Sequence, residues 1–107
     1  MDITLSISSA GVFRRVLISA TENSRPVDCG LSAIITSPSR KEEIFLPSPE
    51  KLSRSVTYPS AGGRFVTQVG SGKYQIIYEP KEKGIYTLKL VGKVHGKPFE
   101  KTLQISF

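Results

Sequence analysis

Apolar and polar residues alternate one by one along most of this chain, which is the pattern of a β-strand with one buried face. The alternation is clearest in two neighbouring runs, Gly72–Pro80 and Gly84–Val91. The residues that share one face of these runs are Tyr74, Ile76, Tyr78, Tyr86, Leu88 and Leu90. Pro80 has no N–H for a strand ladder and Gly84 allows a tight turn, so we expect two strands joined by a sharp corner.

The same alternation predicts strands on either side of this pair. They are Asp2–Ser8, Phe13–Thr21, Leu31–Thr36, Glu42–Leu46, Arg64–Val69 and Phe99–Phe107, with Arg54–Tyr58 as a candidate edge strand. Helical periodicity is absent, although Pro49–Val56 fits either one helical turn or a connecting loop. A single sheet would leave its apolar face in water. We therefore predict an all-β fold, an immunoglobulin-like antiparallel β-sandwich of seven to nine strands, in one domain over residues 1–107.

Composition and charge limit the kinds of partner. The chain of 107 residues carries a net charge of +6, but its basic residues are dispersed over outward strand positions and turns. A basic helix and an RNA-binding aromatic motif are both missing, so we expect no specific nucleic-acid binding. The apolar runs are too short to span a bilayer and the start of the chain alternates, so we expect neither membrane insertion nor a signal peptide.

Catalytic and metal-binding residues are scarce. Cys29 is the only cysteine and His95 the only histidine. We expect Cys29 to be a small buried residue and His95 to lie in a surface turn. Glu42 and Glu43 are adjacent, and successive strand residues face opposite ways, so their carboxylates would not share a proton. We predict a chain that is not an enzyme and has no catalytic residues, no metal site and no cofactor.

Three runs of the sequence resemble a known family. The residues that carry the resemblance are Gly72, Tyr74, Ile76, Tyr78 and Pro80 in the first run, Gly84, Tyr86 and Leu88 in the second, and Gly96, Pro98 and Phe99 in the third. They are similar to the last three strands, E, F and G, of a filamin-type immunoglobulin repeat. Gly30–Lys41 resembles that family's strand C and the turn after it. The N-terminus and Phe45–Gly63 do not follow the pattern, and other immunoglobulin-like or fibronectin-like modules share the Gly-x-Tyr device.

The resemblance implies a function. It implies a non-catalytic interaction or spacer module of a larger cytoskeletal or scaffolding protein, cytoplasmic and monomeric in isolation. Its partner, a peptide strand or an adjacent domain, would be added beside strand C, with Arg64–Val69 or Arg54–Tyr58 as the neighbouring strand. The candidate partner-binding residues are Ser32, Ile34, Thr36, Tyr58 and Phe65, although packing in the core is the role favoured for Phe65. The alternatives are an adhesive or receptor domain of a secreted or cell-surface protein, and a basic domain that binds nucleic acid or anionic lipid.

Overall fold

The computed structural model of the chain describes residues 2–51 and 65–107. Its strands are β1 (Asp2–Ala10), β2 (Phe13–Glu22), β3 (Arg25–Pro26), β4 (Ser32–Thr36), β5 (Glu42–Lys51), β6 (Phe65–Gly70), β7 (Lys73–Tyr78), β8 (Ile85–Val94) and β9 (Lys97–Ser106). Within these ranges there is no helix, and so none that could cross a membrane. The all-β prediction is confirmed. The candidate strand Arg54–Tyr58 lies outside the described residues.

The strands form one continuous hydrogen-bonded path, in the order β1-β2-β7-β6-β5-β4-β8-β9, with the short β3 attached to β2. The path is curled into a half-barrel. Its continuity depends on β5, which pairs antiparallel with β4 and parallel with β6. The predicted division into two separate sheets is not confirmed, because β5 connects the two halves through hydrogen bonds to both neighbours.

The strand β5 also runs past its predicted end at Leu46. It continues to Lys51 although it contains Pro47 and Pro49, which have no N–H to donate. The register between β5 and β6 shifts between Pro47 and Lys51. Pro47 itself pairs with Val66, and the irregularity after it leaves Pro49 outside the regular ladder.

A single apolar core fills the concave side of the half-barrel. Its largest fully buried side chains are Tyr86, Phe45, Ile18, Leu31, Ile35, Ile76, Leu88, Leu90 and Val16. Tyr78 lies at the centre of an aromatic cluster, with ring centroids 6.2 Å from Phe45, 5.7 Å from Tyr86 and 5.7 Å from Phe107. These separations are in the favourable range for edge-on and tilted aromatic contacts. Burial raises the pKa of Tyr78, so its hydroxyl stays protonated within the core.

The sharp corner between β7 and β8 is closed by Tyr86. Its hydroxyl donates to the carbonyl oxygen of Glu82 at 2.7 Å and accepts the Glu82 N–H at 3.2 Å. The ring itself is fully buried. Because donor and acceptor lie only four residues before the tyrosine, the bonds fix the chain at the entrance to β8. The predicted corner at Tyr86 is confirmed.

Tyr74 forms a second, long-range clamp of the same type. Its hydroxyl donates to the Cys29 carbonyl and accepts the Cys29 N–H, both at 2.7 Å. Burial raises the pKa of Tyr74 to about 12, so the hydroxyl keeps the proton that it donates. The clamp holds the loop before β4 against β7. Cys29 belongs to the core, as predicted for a small buried residue.

Tyr86→Phe removes the corner hydroxyl and keeps the buried ring. We expect a loss of about 1 kcal/mol or more in the free energy of unfolding, because two backbone groups of Glu82 lose their partner. Denaturant unfolding measures the loss. Glu82→Ala is the control, because it keeps the backbone groups and removes only an exposed contact with Ser39. Equal midpoints for Tyr86→Phe and the unsubstituted chain would show that the corner contributes nothing.

Gly72→Ala tests the turn between β6 and β7. Gly72 has φ +64°, and a Cβ there would lie 2.6 Å from the Ala20 carbonyl oxygen and 2.9 Å from the Val27 nitrogen. We expect a destabilisation of about 2 kcal/mol or more from the strained φ and the contact with rigid backbone. Gly11→Ala is the control, because Gly11 has a similar φ and no atom lies within 4 Å of the added Cβ. It should cost only about 1–2 kcal/mol. Equal costs would mean that close packing at Gly72 is unimportant.

Candidate protein-interaction site

The predicted binding edge at β4 is not an edge. β4 pairs with β5 on one side, from Ala33 to Thr36, and with β8 on the other. Its backbone groups are therefore committed to two neighbours, and a partner strand has no place to bind beside it. The predicted neighbour Arg64–Val69 was also wrong, because β6 lies next to β5 and β7. The other predicted neighbour, Arg54–Tyr58, lies outside the described residues. This pairing contradicts the binding site beside strand C that the family resemblance implied.

The predicted site residues on β4 do share one face. Ser32, Ile34 and Thr36 alternate with the buried Ala33 and Ile35, and each is half-buried on the convex side. Their outward orientation is confirmed. Their side chains are thus accessible from the convex face, although the backbone between them is not.

The two aromatic candidates have different outcomes. Phe65 is 49% exposed, whereas the next residue, Val66, is 2% exposed. The core position favoured for Phe65 was therefore wrong, because β6 buries Val66 and places Phe65 on the opposite, exposed face. Tyr58 lies outside the described residues.

The structure brings Phe65 and Ile34 together with three apolar residues that were not among the predicted site residues. Ile34 of β4 pairs with Ile44 of β5. Two residues further along β5, Leu46 pairs with Phe65 of β6. Ile44 is 55% and Leu46 56% exposed. With Val91 on β8, these residues form an exposed apolar surface that we call the convex patch. The signal in the sequence was the run of three apolar residues at 44–46, since a strand with one buried face leaves at least one of three successive residues on the other face.

Free edges occur at the two ends of the strand path. Among the described residues, β1 pairs only with β2, and β9 pairs only with β8. Both strands also contribute to the same core. We call β1 and β9, with the residue that follows β9, the lips of the half-barrel. The lip residues that pack against the core are Ile3, Leu5, Phe99, Leu103 and Phe107. Each lip exposes backbone groups on its outer side, so the two edges differ mainly in their side chains.

The β9 edge carries residues that discourage strand pairing. Lys97 and Lys101 pair with Val94 and Leu90, and Leu90 is buried, so both lysines lie in the core-facing phase of the strand. Pro98 lies between them and has no N–H. Core-facing charges and proline on an edge strand are devices by which proteins prevent edge-to-edge association. We infer that β9 is a protected edge.

The β1 edge has none of these devices. Its nine residues include no lysine, arginine or proline, and its register with β2 is unbroken from Asp2 to Ala10. Ile7, in the core-facing phase beside Leu5, is 40% exposed. An added strand would find open backbone groups on β1 and an incompletely covered apolar side chain. In strand addition, main-chain hydrogen bonds give affinity and side-chain contacts give specificity, and β1 offers both.

A cleft of about 310 Å³ lies at one end of these lips. It is lined by Glu22, Val94, His95, Lys97, Pro98 and Phe99. Nε2 of His95 is 3.5 Å from Oε2 of Glu22, so the end of β2 and the turn between β8 and β9 meet here. His95 is exposed in that turn, as predicted. The cleft combines apolar side chains with the charged groups of Glu22 and Lys97.

The groups with possible chemistry are not assembled into a reactive centre among the described residues. Burial raises the pKa of the Cys29 thiol, which disfavours the nucleophilic thiolate. Glu43 pairs with the buried Ile35, and Glu42 pairs with Thr36 on the opposite face. The predicted divergence of the two carboxylates is confirmed. No group of three potential metal ligands occurs in residues 2–51 and 65–107.

Lys101→Val tests whether the β9 edge is protected by its charges. Removing the core-facing charge extends the apolar row of Phe99 and Leu103, so we expect concentration-dependent self-association in sedimentation velocity runs. Lys89→Val is the control, because it makes the same change at a position of β8 that is paired on both sides, with Ile34 of β4 and Thr102 of β9. If the two variants sediment alike, Lys101 does not protect the edge.

Comparison with known proteins is informative about fold alone. No family model matches the sequence, and no curated protein matches it. Among solved structures, the fold is similar to that of a DUF4426 family protein from Pseudomonas aeruginosa PAO1, with a TM-score of 0.66 at 6% sequence identity. The similarity covers 98% of this chain and 87% of that chain. It shows that a curled, all-β arrangement of this kind exists in another protein.

Proposed function

We propose that the chain is a non-catalytic, immunoglobulin-like interaction module that binds an extended segment of a partner protein by strand addition at β1. The observation that carries the proposal is the contrast between the two ends of the strand path. β1 is long, regular and free of lysine and proline, whereas β9 carries Lys97, Pro98 and Lys101. A protein with two terminal strands and one protected edge directs pairing to the other.

The immunoglobulin-like assignment is supported by strand order. One part of the path runs β1-β2-β7-β6 and the other β4-β8-β9. This order corresponds to strands A-B-E-D and C-F-G of an immunoglobulin domain, with β5 connecting the two. The hydrogen bonds of Tyr86 lie at the start of the strand equivalent to F, where a tyrosine corner occurs in such domains. The filamin-type repeat and its cytoskeletal or scaffolding host are proposals that depend on the sequence resemblance.

The expected affinity is modest. Alternate residues of β1 direct N–H and C=O groups away from β2, and each new backbone hydrogen bond contributes about 0.5–1.5 kcal/mol net. Burial of the exposed part of Ile7 adds a hydrophobic contribution. Ordering an extended peptide opposes both. The module would therefore bind isolated peptides weakly and tethered partner segments, such as an adjacent domain, more strongly.

The experiment uses a nine-residue peptide that alternates valine with threonine, amidated at its C-terminus and carrying an N-terminal polyethylene glycol tail for solubility. We expect slower amide hydrogen exchange at alternate residues of β1 when the peptide is added to the full chain. Protection confined to β9 or to the convex patch would reject the proposed edge.

Ile7→Lys gives β1 a core-facing charge like those of Lys97 and Lys101 on β9. We expect it to weaken peptide binding by about tenfold or more, because the charge would be buried beneath the added strand. Val12→Lys is the matched control, since Val12 is 63% exposed in the turn between β1 and β2 and lies outside the edge. Fluorescence anisotropy gives the affinities, and unfolding midpoints verify that both variants fold. Equal affinities for the two variants would contradict strand addition at β1.

A further inference from the structure

We propose that the cleft formed by Glu22, Val94, His95, Lys97, Pro98 and Phe99 binds the C-terminal end of the added strand, through a carboxylate held by Lys97 and an apolar side chain packed against the apolar residues of the cleft. This inference rests on the proposed strand addition at β1.

The position of the cleft relative to β1 follows from strand register. Asp2, the first residue of β1, pairs with Thr21 of β2. Glu22 comes directly after Thr21 and lines the cleft. The cleft therefore lies at the Asp2 end of the open edge, and a strand bound along β1 would lead towards it at one of its ends.

Strand direction decides which end of the partner arrives there. β1 pairs antiparallel with β2, and antiparallel pairing is slightly more stable per residue than parallel pairing. A strand added antiparallel to β1 begins beside Ala10 and ends beside Asp2. Its C-terminal residues therefore reach the cleft.

The residues lining the cleft fit a carboxylate next to an apolar side chain. Val94, Pro98 and Phe99 provide apolar surface. Lys97 is exposed and forms no ion pair with any residue in the described ranges. An ammonium group with three donors and no acidic partner is suited to binding a carboxylate.

Glu22 and His95 determine where that carboxylate can lie. Glu22 is the acidic group of the cleft and would repel a second carboxylate beside it. Its Oε2 already faces Nε2 of His95 at 3.5 Å. The incoming carboxylate is therefore directed to the Lys97 side. The chain's net charge of +6 also favours the approach of an anionic peptide over a cationic one.

The carboxylate can come from two sources. One is the free C-terminus of a partner chain, and the other is an aspartate or glutamate side chain at the end of an internal strand. The test uses three forms of the valine–threonine peptide. One ends in a free C-terminal carboxylate, one in an amide, and one in an amide preceded by glutamate. Tighter binding of the first alone indicates a chain terminus, and tighter binding of the first and third indicates any carboxylate.

We expect the free-acid peptide to bind the full chain about tenfold more tightly than its amide, the size of effect typical of one charge-assisted hydrogen bond. Lys97→Gln should remove this difference while leaving the affinity for the amide unchanged. Lys101→Gln is the matched control, because it loses the same charge on the same face of β9 four residues away, outside the cleft. It should retain the preference for the acid.

The outcomes separate this inference from the proposed function. If acid, glutamate and amide peptides bind equally and all protect β1, strand addition stands and the carboxylate site is wrong. If Lys97→Gln and Lys101→Gln reduce the preference equally, general charge rather than the cleft is responsible, and the inference is overturned. If no form binds or protects β1, both proposals are rejected.

Discussion

The arrangement of this molecule depends on the double pairing of β5. Phe45, 2% exposed, anchors β5 in the core, and the strand bonds to β4 through its first half and to β6 further along. Without it, β4 and β6 would be the edges of two separate sheets. With it, both are interior strands and the path has only two ends. Because of that constraint, the free edges of the path lie at β1 and β9 and not at β4 or β6.

Local features of the fold could be predicted from the sequence because their causes are local. Alternation marks a half-buried strand wherever it lies, and Gly84 and Tyr86 form a corner whose bonding partner, Glu82, is four residues away. Pairing between distant strands leaves no comparable pattern. The extension of β5 beyond Pro47 illustrates this: two prolines normally end a strand, but here Pro47 pairs with Val66 and a register shift after it accommodates Pro49.

The same distinction between local patterns and the pairing of distant strands applies to the candidate site. The outward phase of Ser32, Ile34 and Thr36 followed from alternation, and the structure agrees. Whether β4 has a free edge depends on β5, and alternation does not reveal neighbours. Phe65 was ambiguous because Phe65 and Val66 are adjacent apolar residues, and only the pairing with β5 and β7 determines which of them faces the core.

The difference between β1 and β9 has a consequence for assembly. Two open edges on one molecule would permit β1 of one copy to pair with β9 of the next, a contact that does not close and leads to filaments. Lys97 and Lys101 oppose that contact, because pairing would bury their charges. Pairing between two copies of β1 is opposed by repulsion between chains that each carry a net charge of +6. An uncharged or anionic strand meets neither obstacle, so the same features that limit self-association leave β1 open to a different partner.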